Sequence, residues 1–429
     1  MSRLSGAKGS MVLRNVWSIL DHGTMAAVSF AVNLTLARNL PLDAYGFYVL
    51  LLVFLNFAGD IFGALILSPL LVLGAARDER NQPSYLAAMA GLQVAGSIVA
   101  AVLFAVGAGV AYFAEYSATI VEAIIAAAFT AFAMPLLQFM RRAFYAAQRP
   151  ELSFQCSLTY AILQAGGLAS LLALQSLWGA LTSTHVFVSQ CVAALAGAAF
   201  GIWRGRPLFA HPSAQTPAIL SESWRYGRWI LFGVFVTMGY SQAIYILIAT
   251  FAGAEGVAKF EGPRLLVAPC LILIQAWGTM ITAPASRTYA QHGPQAAVRL
   301  LMRSSLLVVA TVAPFLAFMI MGPQTVLEFA LGASFASERA NLMLWAGIMT
   351  AMMVSTITSS VFYLFQRPEL GTYCRIAGAV VGLPAATLLV WSMGATGGAS
   401  ARFAVELILV TMSAYLAFRL IRRKKILDA

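Results

Sequence analysis

Long apolar runs, interrupted at intervals by charged and turn-forming residues, dominate this chain. Twelve of them are predicted as helices, at 12–37, 45–74, 85–111, 119–140, 153–177, 184–203, 229–252, 264–286, 304–322, 341–365, 376–394 and 401–420. Each approaches or exceeds the roughly 20 residues an α-helix needs to cross a bilayer. The first, 12–37, is too long for the core of a signal peptide and is followed by no small-residue cleavage site, so it reads as a retained span.

Composition agrees. Of 429 residues, 60% are hydrophobic and 10% charged, with a mean hydropathy of +0.82, against about 25% charged in soluble domains. The fold class is therefore an all-α membrane protein with about twelve transmembrane helices. Lys and Arg set its orientation, since they concentrate on the cytoplasmic side. With both termini in the cytoplasm, 22 of the 27 basic residues fall in cytoplasmic segments and 5 on the other side. This asymmetry accounts for most of the net charge of +11 without nucleic acid, and the basic tail "RLIRRKK" reads as an anchor near anionic lipid.

The chain also repeats itself. "FYAAQRPEL" at 144–152 and "FYLFQRPEL" at 362–370 share seven of nine residues at an offset of 218. Each joins two predicted spans, the fourth to the fifth and the tenth to the eleventh. Phe144 and Tyr145 are expected in the interfacial aromatic belt, Arg149 near a helix C-terminus, and Pro150 and Glu151 in the first turn of the next helix. The same offset maps Gly179 onto Gly397, and a looser match near 215 sets 40–48 beside 253–262. Six spans lie between the copies, so both face the same side. The expected organisation is two parallel six-helix repeats around a central cavity: an N-terminal bundle at 1–203, a cytoplasmic linker at 204–228, and a C-terminal bundle at 229–429.

Ionisable groups inside spans cost about 2.5–3.5 kcal/mol each on insertion scales, which makes them candidates for function. On the first span Arg14, Ser18, Asp21, His22, Ser29 and Asn33 fall within an arc of about 100°. Asp21 and His22 are ion-coupling candidates; the alternative for Asp21 is an internal ion pair with Arg14 or another arginine. The second span adds Asn56 and Asp60 one turn apart, Asp60 being the third coupling candidate. Thr237, Tyr240, Ser241 and Tyr245 share a face of the seventh span with Gln242 beside it. The eighth opens with Glu261 and Arg264 and contains Gln275 and Trp277. Arg402 and Glu406 in the last span suit an i,i+4 salt bridge. Arg38 and Arg264 are candidates for an anionic headgroup, because guanidinium matches phosphate in a bidentate way; the alternative for both is interfacial anchoring. Asn33, Gln242, Tyr245 and Gln275 are expected to line the cavity with them.

Chemistry finds little purchase. Gly-Lys never occurs, so there is no Walker A loop. The five aspartates form no Asp-x-Asp pair, and no His is followed by Glu. The four cysteines lie in apolar stretches without metal-ligand spacing. No cofactor, metal or catalytic residue is expected, and the connections are too short to hold a catalytic domain.

Two stretches carry a family resemblance. "LARNLPLDAYGFYVLLLVFLNFAGDIFGALILSP" (36–69) resembles the first two helices of Wzx-type polysaccharide flippases, which belong to the superfamily that also holds multidrug-extruding antiporters. Ala37-Arg38 ends the first span, Tyr45-Gly46-Phe47 begins the second, and Asp60-Ile61-Phe62-Gly63 stands where the family often has Asp-Phe-Gly. "VAKFEGPRLLVAPCLILIQAWGTMITAPASRTYAQ" (257–291) is similar to the eighth span and its exit, with Arg264 and Pro284 at recurrent positions. The resemblance implies a flippase in the cytoplasmic (inner) membrane of a bacterium. It would move a polyprenyl-pyrophosphate-linked oligosaccharide for exopolysaccharide or O-antigen synthesis by alternating access, driven by an ion gradient. Its partners would be the lipid-linked sugar, the bilayer and other polysaccharide assembly proteins. The rival is a cation-coupled multidrug antiporter of the same fold, which Asp21 fits and which Arg38 and Arg264 oppose.

Overall fold

A computed structural model describes residues 2–74, 77, 81–175, 179–209, 216–365, 367 and 369–427. The side chains of Arg14, Thr237 and Tyr363, residues Gln366 and Pro368, and the side chains of the tail from Arg423 onward lie outside the described parts.

Among the described residues the chain is helical throughout, with no strand. The N-terminal half holds α1 (Ser2–Asn39), α2 (Leu42–Phe62, prolonged by wider turns to Gly74), α3 (Gln82–Phe113), α4 (Ala118–Ala146), α5 (Pro150–Ala173) and α6 (Ser183–Gly205). A single tight turn, Arg206–Leu208, follows, and helix resumes at Thr216. The stretch Thr216–Met321 is broken at Gly253 (φ 68°) and Gly293 (φ 79°), giving α7 (216–252), α8 (254–292) and α9 (294–321). Backbone with positive φ is open to glycine at little steric cost. The short α10 (Pro323–Leu331) and then α11 (Arg339–Leu364) come next, and Glu369–Leu427 breaks at Gly394 (φ 57°) into α12 (369–393) and α13 (395–427). Twelve long rods result, as the apolar pattern predicts. Exposed side chains such as Ile98, Val102, Leu103, Val106 and Val110 run down one side of α3, which suits hydrocarbon rather than water. The protein is a multi-pass membrane protein.

The repeated segment is the same corner built twice. Arg149 N–H donates to the Phe144 carbonyl at 2.8 Å, and Arg367 N–H donates to that of Phe362 at 2.8 Å. Ala147 bonds Ala143 as Phe365 bonds Val361, and Leu152 bonds Arg149 as Leu370 bonds Arg367. In the first copy Gln148 takes φ 58° and donates to Tyr145, completing a Schellman helix end before Pro150 opens α5. The aromatic-belt expectation is corrected for Phe144, which is fully buried in a core cluster, as is its counterpart Phe362, while Tyr145 is half-buried. The Gly179–Gly397 correspondence also shifts: Gly179 has φ 77°, but its turn-making counterpart is Gly394, three residues before Gly397.

The chain forms two compact units, one of residues 1–40 and 51–235, the other of 41–50 and 236–429. The first packs around Tyr85, Leu86, Met89, Leu137 and Phe144. In the second, Phe260 lies 5.1 Å from the rings of both Tyr245 and Trp345, and Tyr45 meets Phe335 edge-on at 6.3 Å. Gly46 lets α2 cross α8 at backbone distance, since a Cβ there would overlap the Ala254 carbonyl.

Candidate functional site

Three helices of the first unit converge on Asp21. From α4, Arg141 donates through Nε (3.2 Å) to Oδ1 and through Nη2 (3.0 Å) to Oδ2, and Tyr145, one turn on, donates its hydroxyl at 2.7 Å. From α5, Ser153 donates at 2.9 Å and Ser157 also donates. Arg141 is held in turn by Gln138, whose Oε1 accepts from Nη1 at 2.7 Å. Asp21 is 0% exposed and Arg141 6%. Five donors saturate a carboxylate with about four lone-pair sites, so Asp21 is an anion clamped by its fork-like partner. Of the two sequence readings for Asp21, the geometry builds the internal ion pair, and the partner is Arg141. That arginine stood among the cytoplasmic loop charges in the sequence reading, because α4 runs on to Ala146 rather than stopping near 140.

His22 does not share this burial. Its side chain is 58% exposed, with Nδ1 2.9 Å from the Ser18 carbonyl and 3.3 Å from the Tyr145 hydroxyl. Asn33 is half-buried and donates to Ser29 one turn back at 2.9 Å. Arg38 is exposed in the last turn of α1, and Asp60 is half-buried in α2 with no ion-pair partner among the described residues. The polar stripe of α1 is therefore split between the bundle interior and the outside.

In the second unit, Tyr245 and Arg264 are brought together by Glu261. The Tyr245 hydroxyl (2.7 Å) and Arg264 Nε (2.6 Å) both donate to Oε2, and Arg264 Nη2 bonds Oε1. Arg264 is thus a neutralised cation rather than a free one. Gln242 is half-buried on α7, and Gln275 lines a cavity elsewhere in the unit.

That cavity, of about 430 Å³, lies among α7, α8, α11, α12 and α13. Its charged walls are Arg375, Arg402 and Glu406, and Tyr240, Ser359 and Thr356 are among its other polar walls. Arg402 bonds Glu406 at 2.8 Å, the pair that their spacing suggests, and lies over the Tyr240 ring at 5.6 Å. The Tyr240 hydroxyl is buried beside the Arg402 guanidinium and finds no acceptor among the described residues. Among the described residues no cluster of His, Cys, Asp or Glu could hold a metal ion, and the four cysteines are free thiols. Sequence reasoning missed Arg141, Ser153, Ser157 and Arg375. The offset of 218 carries a usable signal, since it aligns Ser157 with Arg375.

No protein-family model matches the chain, and no curated protein matches it significantly. Solved structures do. An inward-facing multidrug resistance MATE family transporter of the MOP superfamily aligns with TM-score 0.68 and 12% identity over 96% of each chain. A MOP superfamily transporter from Pyrococcus furiosus, described as having a binding pocket of reverse polarity, aligns with TM-score 0.63 and 12% identity over 97% of this chain and 96% of its own. An outward-facing MATE family transporter aligns with TM-score 0.61 and 13% identity over 96% of each. The fold is that of the MATE transporters.

Proposed function

We propose that this chain is an alternating-access flippase. It carries a polyprenyl-pyrophosphate-linked oligosaccharide across the cytoplasmic membrane of a bacterium for exopolysaccharide or O-antigen synthesis, with both termini in the cytoplasm. Transport is supported by the fold, whose similar structures are transporters captured facing both ways. The substrate reading rests on charge. The buried carboxylates Asp21, Glu261 and Glu406 are each bonded to a guanidinium, while Arg38 and Arg375 have no ion-pair partner among the described residues. A carboxylate that exchanges a drug cation for a proton must be free to lose one partner and take another; these three already hold a permanent cation. Surplus guanidinium suits a negative sugar-pyrophosphate head. The lipid-linked sugar, the bilayer and other polysaccharide assembly proteins are the partners in this reading.

Deleting the gene should make lipid-linked oligosaccharide accumulate on the cytoplasmic face, and the wild-type chain should restore its export. A normal lipid-linked pool together with new dye sensitivity would instead establish the multidrug antiporter. That second reading is favoured by the multidrug transporters among the similar structures and by Asp60, a half-buried acid within a span that has no ion-pair partner among the described residues.

A further inference from the structure

The two copies of the repeated corner lead into unlike interiors. At the offset of 218, Arg141 corresponds to Ser359, Ser153 to Gly371, Cys156 to Cys374 and Ser157 to Arg375. The matching backbone hydrogen bonds of the two corners fix this register in space as well as in sequence. In the first unit these positions surround the Asp21 carboxylate, and the space is filled. In the second unit Ser359, Gly371, Cys374 and Arg375 all line the cavity of about 430 Å³. Two side chains there have shrunk, and one donor has become a guanidinium. The part of α7 that belongs to this unit, 236–252, supplies no anion, because no acidic residue occurs between Glu222 and Glu255.

We infer that the second-unit cavity binds an external anion, a phosphate or carboxylate carried on a hydroxyl-bearing group such as a sugar, at the place where the first unit holds Asp21. Three observations converge on this. The cavity wall holds two guanidiniums, Arg375 and Arg402, against one carboxylate, Glu406. Glu406 is 3% exposed and bonded to Arg402, while Arg375, an exposed residue, feels its charge without bonding it, so the wall carries one guanidinium in excess. The Tyr240 hydroxyl, on a residue only 6% exposed, lines the cavity beside the Arg402 guanidinium and finds no acceptor among the described residues. A guanidinium can only donate and buried polar groups are ordinarily satisfied, so the hydroxyl proton is available to an anionic ligand. The volume falls in the range of small-molecule sites, and Ser355, Thr356 and Ser359 on one wall suit hydroxyls. Under the flippase reading the ligand is part of the substrate head. The site follows from the repeat, however, and exists whether or not a lipid-linked sugar crosses the membrane.

The test uses the full chain, delipidated in a phosphate-free maltoside detergent, with thermal unfolding and calorimetric binding as readouts. The probes are glucose 1-phosphate, a short-chain phosphatidylglycerol, and neutral glucose. At least one of the two anions should bind and raise the unfolding temperature, with glucose inactive. Arg375→Gln should weaken that binding about tenfold or more, and Arg375→Lys should retain more of it. Response to the sugar phosphate alone identifies a soluble or substrate headgroup; response to phosphatidylglycerol alone identifies a lipid. If neither anion binds, or if Arg375→Gln binds as well as the wild type while eluting as the same monodisperse species, the site is not there. Either result leaves the export assay of the deletion strain to be judged by itself.

Discussion

Asp21 is held by more donors than it has room for, and the arrangement decides what its loss should do. Removing one member of a buried pair leaves the other charged and alone, which costs about 3–5 kcal/mol, whereas replacing both by apolar groups of similar size is often neutral. Arg141→Ala should therefore lower the unfolding temperature of the purified protein markedly, and Asp21→Leu combined with Arg141→Met should recover most of it. The double variant separates strut from coupler. Retained export in complemented cells is the expected result, in keeping with a carboxylate whose hydrogen bonds are already full. A stable double variant without export would assign ion coupling to this pair. Little of this was legible from residues alone. Asp21 stood out as an acid within a span, but its partner is 120 positions away, and no helical period links residues on different helices. Arg402 and Glu406 are different: their i,i+4 spacing on one helix made the pair readable, whereas the pairing of Glu261 with Arg264 and Tyr245 went unread and takes Arg264 out of the free cations.

Glycines show what holds the helices at their spacing. Gly46 faces the Ala254 carbonyl with no space for a Cβ, while Gly59, on the same helix, has nothing within 4 Å of where a Cβ would sit. Gly46→Ala should thus cost about 1–3 kcal/mol through overpacking. Gly59→Ala should be neutral or stabilising, by up to about 1 kcal/mol, since alanine is the better helix former. Parallel thermal unfolding of the two variants in detergent checks the contrast, which a general intolerance of substitution in α2 would erase. The helices themselves were legible, because the length of an apolar run is a direct response to bilayer thickness. Their ends were less so. α8 begins at 254 rather than 264, since Glu255, Lys259 and Glu261 read as a loop, yet Lys259 bonds Glu255 across one turn at 2.7 Å and Glu261 is capped by Arg264. Local pairing lets charged residues stay helical where composition suggests a connection.

Over the whole chain, the asymmetry of Lys and Arg predicts where the termini lie. A fluorescent protein fused after Ala429 should be bright and an alkaline phosphatase fused there inactive; the opposite pattern would invert every loop. Moving Arg141 from a loop to a helix leaves that asymmetry intact, since the tail and the other loops carry it. The doubling of the architecture was also visible in "QRPEL", whereas the divergence of the two interiors was not. It lies in single exchanges such as Ser157 for Arg375, which mean nothing until the register is known. The units, finally, are not cut from the chain as two successive lengths. Residues 41–50 belong with 236–429 although 51–235 do not, and Tyr45 and Tyr48 are fully buried in that company. A gene split at residue 235 would yield one fragment bearing ten orphaned residues and another missing a piece of its own interior. Each fragment alone should be a poor folder, and only co-expression could make both whole.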